Sequence, residues 1–477
     1  MNETKRFYEF ILRRGSVLLL LLAGIGFFRY LFRDLWFDEC LTFELVQFCQ
    51  SPGEVYRSYY IPNNHIIFSI LFQTWADLWI GTIDNVPVLL FRFLPVIAGF
   101  LTVILLYRIL RRTAGRFSAW LGTALFLLAP PFLIYATGIR GYGLSVLFVL
   151  AGYIAARNWM GKGRKRDCAL WFLWAFLGMG TTPTNLAAFT AIAILSAPAL
   201  WCPGKRMRWS LLFLIPFAAG LLFYLPIWDK LLACMKLGEG WNSRWTALWN
   251  LYAPALLMFL PMAAFLRKDR VRRAPRYAIT FLLTLLMPLG VYLIFPVPPF
   301  PRVFLPLLAV WMIPLTYFAA PALRKGTEQR KMLIACVFFF WSALLLLFSP
   351  KLSDALFGSA WEDDLLAPYY TRDQFLPSET VRRMELCRKE QPGAIFFLTF
   401  EADYPALLFA AMSWADRDNV ICYDKPNEPR LTTLPESVPL YFVTRSAADM
   451  ESARKRFALP QPIEMEQIGQ HCIWRMR

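Results

Sequence analysis

Apolar runs of membrane-spanning length, separated by short basic clusters, dominate the chain. They lie at roughly 16–33, 86–107, 117–136, 142–156, 168–182, 184–201, 209–228, 249–266, 277–296, 303–322 and 332–349. A run near 20 residues matches the hydrocarbon thickness of a bilayer when helical, so the pattern predicts about eleven transmembrane helices. Pro130, Pro131, Pro216, Pro288, Pro306 and Pro314 fall in these runs. Membrane helices tolerate them because neighbouring helices satisfy the freed backbone groups. Two stretches break the pattern. In residues 34–85, acids and aromatics precede a partly apolar segment, Ile66 to Ile80, which suits a helix lying at the membrane interface. In residues 350–477, short apolar runs (Ala394–Phe400, Val420–Tyr423, Leu440–Thr444, His471–Trp474) alternate with helix-like segments (Ser378–Lys389, Pro405–Trp414, Ala447–Phe457). That alternation predicts a small α/β domain.

Composition narrows the class. Hydrophobic residues make up 57% of the 477 and charged residues only 17%, too apolar for a soluble domain or for disorder. The net charge of +17 would suggest nucleic acid if it were spread evenly. It is not: residues 350–477 carry 15 Lys/Arg against 19 Asp/Glu, so all the positive excess lies among the apolar runs. With the N-terminus cytoplasmic, the inner segments hold 26 Lys/Arg and the short outer loops 6. This asymmetry orients the chain with residues 34–85 and the tail outside the cytoplasm, and no nucleic-acid partner is expected. The nine cysteines show no zinc spacing. A disulfide within the outer loop or the tail remains open beside a plain apolar role.

The spans carry almost no ionisable residue, whereas ion-coupled transporters usually place one at mid-membrane. Polar groups gather instead at the outer boundary. Asp38-Glu39 follows the first span, among Trp36, Phe37, Leu41 and Phe43. Buried carboxylates there are costly and mark a candidate site; a solvated loop start or the cap of an interfacial helix is the alternative. Arg140, in Ile139-Arg-Gly-Tyr142, offers a bidentate phosphate fork or an interfacial anchor. Arg302, in the last outer loop, has the same two readings. Arg92 lies near the outer end of the second span, and His65 ends Pro62-Asn-Asn-His65. No glycine-rich phosphate loop, Ser-His-Asp set or His-Glu-x-x-His motif occurs.

The order of these pieces carries a resemblance. One span is followed by Asp38-Glu39, the Asn-His65 loop and Phe91-Arg92-Phe-Leu-Pro95. Leu105-Leu-Tyr107-Arg-Ile-Leu-Arg-Arg112 and Tyr135-Ala-Thr-Gly-Ile-Arg140-Gly-Tyr142-Gly-Leu come next. Over about residues 15–160 this resembles the C-type glycosyltransferase superfamily, in particular bacterial relatives of the protein mannosyltransferases and of the aminoarabinose lipid A transferase. Three departures stand out: His65 is followed by Ile-Ile rather than Pro-Pro, Gly138 replaces a Glu, and Val303 replaces the Tyr after Arg302.

The resemblance implies an all-α polytopic bundle at 1–349, a small extracytoplasmic α/β domain at 350–477 and residence in a bacterial plasma membrane. It implies transfer of a sugar from a polyprenyl-phosphate lipid donor to an acceptor lipid, glycan or protein. Asp38 would be the general base, and Glu39 would support it or bind acceptor. His65, Arg92, Arg140, Tyr142 and Arg302 would bind substrate, the arginines near the lipid phosphate. No cofactor is required and no ligand cluster demands a metal, although an assisting divalent cation stays open. A lipid-linked sugar flippase and a non-catalytic component of an envelope assembly machine are the rival readings.

Overall fold

The computed structural model describes residues 9, 14–58, 65–79, 88–202, 204–237, 244–294, 299–357, 364–398, 404–410, 420–422, 438–457 and 460–476. Most of the basic segment 1–15, and Pro62, Asn63 and Asn64, lie outside them. The chain divides into two compact units. One comprises Met1–Leu31, Phe48–Trp79 and Pro87–Pro368; the other comprises Phe32–Gln47, Ile80–Val86 and Tyr369–Arg477.

The larger unit is a helical bundle. Among the described residues, seven helices are long and apolar enough to cross a membrane: Val88–Ala114, Tyr142–Lys162, Arg206–Ala233, Trp245–Ala263, Pro275–Leu293, Pro301–Arg324 and Glu328–Leu356. An eighth span results if Arg116–Leu127 and Pro130–Thr137, bent by 64° at their junction, count as one. The expected count of eleven is not confirmed among the described residues. Gly15–Leu31 and Asn185–Leu195 are apolar helices of fewer than 18 residues. Pro130 and Pro131 interrupt one run, and Thr182-Pro183-Thr184 separates Lys165–Thr181 from Asn185–Leu195. A proline removes an intrahelical donor and biases the preceding residue away from helix, so the first break divides what hydropathy reads as one run and the second falls where two runs part.

The most enclosed of the seven spans is Pro301–Arg324, with 94% of its apolar window buried, against 22% for Pro275–Leu293. Outward Leu282, Leu283 and Leu286 on the latter suit a lipid-facing surface. Ile66–Trp79 is the helix expected in the outer loop. A short helix, Pro52–Arg57, precedes it, capped by the Ser51 hydroxyl, which accepts from the Glu54 amide at 3.3 Å.

Among the described residues the smaller unit contains a five-stranded sheet. Its strands are β1 (Ile395–Leu398), β2 (Val420–Cys422), β3 (Leu440–Thr444), β4 (Glu464–Ile468) and β5 (His471–Arg475), in the order β2-β1-β3-β5-β4. β1 runs parallel to β2 and β3, while β5 is antiparallel to β3 and β4. Alternation sends Phe396, Leu398, Tyr441, Val443 and Ile473 to one core. Phe397, Leu440, Phe442, Cys472 and Trp474 enter the other. The β4–β5 turn needs Gly469, whose φ is +56°. β4 was not anticipated. Its Glu464-Met-Glu-Gln-Ile468 sequence is polar because it edges the sheet, with Met465, Glu466 and Gln467 exposed. Cys40, Cys49, Cys387 and Cys472 are free thiols, which answers the open disulfide question for these four.

Candidate functional site

Two groups of candidate residues emerge, one in each unit. The first is the acidic segment of the smaller unit. Phe37–Phe48 is a helix with Asp38 and Glu39 in its first turn. Glu39 is fully buried, and its Oε2 accepts from the Trp36 amide at 3.3 Å. A glutamate at the third helical position reaching back to the cap residue's N–H is the carboxylate half of a capping box. Its Oε1 lies 3.6 Å from Arg33 Nη2, so a cation balances the buried charge. Asp38 is half-buried, and its carbonyl accepts from the Thr42 hydroxyl at 3.0 Å. The two adjacent acids thus have different surroundings, as helical geometry requires.

This segment is held on the tail. Trp36 stacks on Tyr370 with ring centroids 4.0 Å apart and planes 8° apart. Arg33 lies over the same Tyr370 ring at 4.9 Å. Asp34 accepts from the Ser378 amide at 3.0 Å and from its hydroxyl at 2.6 Å, at the start of helix Pro377–Glu390. Phe43 meets Phe409 at 5.1 Å.

The second group belongs to the bundle and joins His65, Arg140, Tyr142 and Arg302. After helix Pro130–Thr137 the chain turns tightly, the Arg140 amide donating to the Gly138 carbonyl at 2.7 Å, and Tyr142 opens the next helix. Arg302 sits in the short 3-10 turn Pro301–Phe304. Its Nε donates to the Tyr142 hydroxyl at 2.7 Å, and its guanidinium lies 4.1 Å from the Phe300 ring centroid. The His65 ring stands edge-to-face with Tyr142 at 4.4 Å, and Tyr142 meets Tyr135 at 5.0 Å. Arg140 and Arg302 are only 5% and 4% exposed.

His65 links this group to Thr181-Thr182. Its Nδ1 lies 2.9 Å from the Thr182 hydroxyl and 3.3 Å from the Thr181 carbonyl. A carbonyl can only accept, so this pairing assigns the hydrogen to Nδ1 and leaves Nε2 as the acceptor nitrogen. Nε2 is buried and has no hydrogen-bond partner among the described residues. Burial holds the imidazole well below its usual pKa, the Arg140 charge lowers it further, the Thr181 carbonyl opposes this, and Arg302 lowers it again. The ring is therefore neutral near pH 7. Gly141 permits this packing: a Cβ there would lie 2.6 Å from Thr181 Cγ2 and 2.9 Å from His65 Cβ.

Arg92 is placed elsewhere in the bundle. Its Nη1 donates to the carbonyls of Tyr30 at 3.2 Å and Leu31 at 2.6 Å, at the C-terminal end of helix Gly15–Leu31. A cation there satisfies carbonyls that the helix leaves open. Thr182 was not singled out in the sequence, and Gly141 and Tyr135 stood there only as members of the motif around Arg140. Among the described residues no group of three or more His, Cys, Asp or Glu could hold a metal ion.

Neither a family model nor a curated protein matches the sequence. Solved structures do. The chain matches the oligosaccharyltransferase of Archaeoglobus fulgidus tethered to an acceptor peptide containing the NVT sequon, with a TM-score of 0.51 at 12% identity; the match covers 94% of this chain and 70% of that one. It also matches ArnT from Cupriavidus metallidurans bound to undecaprenyl phosphate, with a TM-score of 0.49 at 14% identity, over 97% of this chain and 98% of that one. The likeness is one of fold: the chain shares the architecture of that oligosaccharyltransferase.

Proposed function

We propose that this chain is an integral-membrane glycosyltransferase that moves a sugar from a polyprenyl-phosphate donor to an acceptor outside the cytoplasm. The observation that carries the reading is the buried group in which Arg140 and Arg302 share one patch with neutral His65 and with Tyr142. Two desolvated guanidiniums beside an uncharged imidazole suit an anionic oxygen cluster such as a lipid phosphate. His65, Arg140 and Tyr142 lie in the ordered motifs that resemble the superfamily. The fold shared with an oligosaccharyltransferase captured with an acceptor peptide adds support.

Each residue then has a role. Asp38 accepts the acceptor's proton as its oxygen attacks the anomeric carbon. The bond from that carbon to the phosphate oxygen breaks, and the phosphate leaves with the electron pair, still on its lipid. Arg140 and Arg302 offset the charge developing on the phosphate oxygens. A single displacement of this kind inverts the anomeric configuration. His65 Nε2 offers an acceptor to a substrate hydroxyl. Glu39, committed to the Trp36 amide and Arg33, positions Asp38 rather than exchanging protons. Arg92 holds the end of the first helix, and no step runs through a metal. The setting is a bacterial plasma membrane, with the N-terminus cytoplasmic and the tail outside.

The test uses purified full-length protein in liposomes, a synthetic polyprenyl-phosphate sugar and an envelope lipid extract as acceptor. Release of polyprenyl phosphate together with a new glycosidic product supports the reading. Movement of intact donor between leaflets without release would replace it with a flippase, and neither event would favour the assembly role.

A further inference from the structure

A cavity of about 340 Å³ opens between two helices of the bundle, Val88–Ala114 and Tyr142–Lys162, toward the ends where each chain segment turns basic. Arg108 and Arg112 line it from the first helix, one turn apart and hence on one face. Arg157 and Asn158 line it from the second. None of the three arginines has an ion-pair partner among the described residues, and all three are exposed. On the orientation read from the basic residues, this end is cytoplasmic.

Basic residues at the inner membrane boundary are commonplace, and by themselves they would mean only orientation. Here the charges converge. Three like-charged groups around one hollow repel each other unless an anion sits among them. The walls are also graded. Both helices run from the outer to the inner side, so Leu105 and Tyr153–Ile154 lie about one turn deeper than Arg108 and Arg157. A cation-lined mouth over an apolar floor suits an amphiphile, and a free phosphate has no use for the floor. The volume lies at the lower end of the range for ligand pockets, roughly 300–1,000 Å³.

We propose that this cavity binds the phosphate-bearing headgroup of an anionic lipid of the cytoplasmic leaflet, its acyl stem lying along Leu105 and Ile154. Basic pockets between membrane helices on this side recognise such headgroups by charge. The proposal concerns a different group of residues from the candidate active site and does not depend on the transfer reaction.

Native mass spectrometry of the purified full-length protein in detergent tests it, with phosphatidylglycerol, phosphatidylcholine and inorganic phosphate as probes. The wild type should prefer phosphatidylglycerol. The triple variant Arg108→Gln, Arg112→Gln, Arg157→Gln should bind it roughly 10- to 100-fold more weakly. A charge-matched control on other basic segments, Lys268→Gln, Arg272→Gln, Arg330→Gln, should stay within about 2-fold of wild type, because these side chains lie outside the cavity. Arg157→Gln alone, which leaves the first helix untouched, should cost about 5-fold and serves if the triple variant misfolds. Equal losses in the two triple variants would overturn the proposal, leaving only general surface charge. Equal binding of phosphatidylcholine would also overturn it, as would displacement of the lipid by millimolar phosphate.

Discussion

Arg302 donates from Nε to the hydroxyl of Tyr142 at 2.7 Å, joining residues 160 positions apart. The bond fixes a buried cation against the first residue of the Tyr142–Lys162 helix, and the Tyr142 ring in turn supports His65. Tyr142→Phe keeps the ring and its contacts but leaves Arg302 Nε without this acceptor. Removing one partner of a buried, charged hydrogen bond costs about 1–3 kcal/mol. The KM for donor lipid should therefore rise by roughly 10-fold, with a modest fall in thermal stability. Wild-type values for both would show that the bond positions nothing.

Gly141 makes a second, steric prediction. Its φ of −75° is open to any residue, so the constraint is space rather than backbone strain. An alanine methyl would press on Thr181 and the His65 Cβ. Gly141→Ala should displace the imidazole and cost about 1–3 kcal/mol through overpacking. Thermal unfolding measures it, and Thr181→Ser in the same background should restore part of the loss by removing the methyl in the way.

His65 gives the pH dependence a sign. Its pKa is lowered in the folded chain, while in the unfolded chain it lies near the ordinary 6.5. Below about 6.5 the unfolded state binds a proton that the folded state refuses, so acid favours unfolding. Stability is full above about 6.5 and declines as the pH falls from there toward the folded value, by up to about 1.4 kcal/mol per pH unit. Comparing wild type with His65→Gln by thermal unfolding from pH 8 to 5 isolates this part. An identical slope in both would remove His65 as its source.

The bundle was legible where hydropathy is continuous, and a bend within one run was not. Val88–Ala114 and Glu328–Phe357 follow from their long apolar runs. The Pro130-Pro131 bend lies inside the single run 117–136, and a hydropathy window averages such a local backbone event away, whereas the Thr182-Pro183 break falls where the runs 168–182 and 184–201 part. In the tail, three of the five strands announce themselves by apolar residues buried on both faces, whereas β4 is hidden because an edge strand has little to bury. The site was legible as residue types. Tyr142 and Arg302 were both named, but a bond across 160 positions has no local signal. The same holds for Asp34 and Ser378, 344 positions apart, which tie the acidic segment to the tail. Glu39 was half-legible: its place in the first helical turn suggests a cap, but its burial against Arg33 depends on the fold.

Asp34 should therefore matter to the smaller unit. Its carboxylate accepts two bonds from Ser378 at the start of the Pro377–Glu390 helix. Asp34→Ala should cost about 0.5–2 kcal/mol, as for loss of a helix cap. It should also hasten proteolysis in the tail of the membrane-embedded protein. Unchanged protection from proteolysis would show that the contact is dispensable.

The central claim rests on Asp38 as the group that takes the acceptor's proton. Asp38→Asn preserves size and most hydrogen bonding but lacks the carboxylate's basicity, and because Asp38 is only half-buried the fold should tolerate it. The decisive measurement is single-turnover sugar transfer from a synthetic polyprenyl-phosphate donor by purified Asp38→Asn protein, with folding checked by its thermal transition. The account predicts a wild-type transition and a rate lower by roughly 10²–10⁴-fold, the usual worth of general base catalysis. A well-folded Asp38→Asn protein that transfers sugar at the wild-type rate would contradict it.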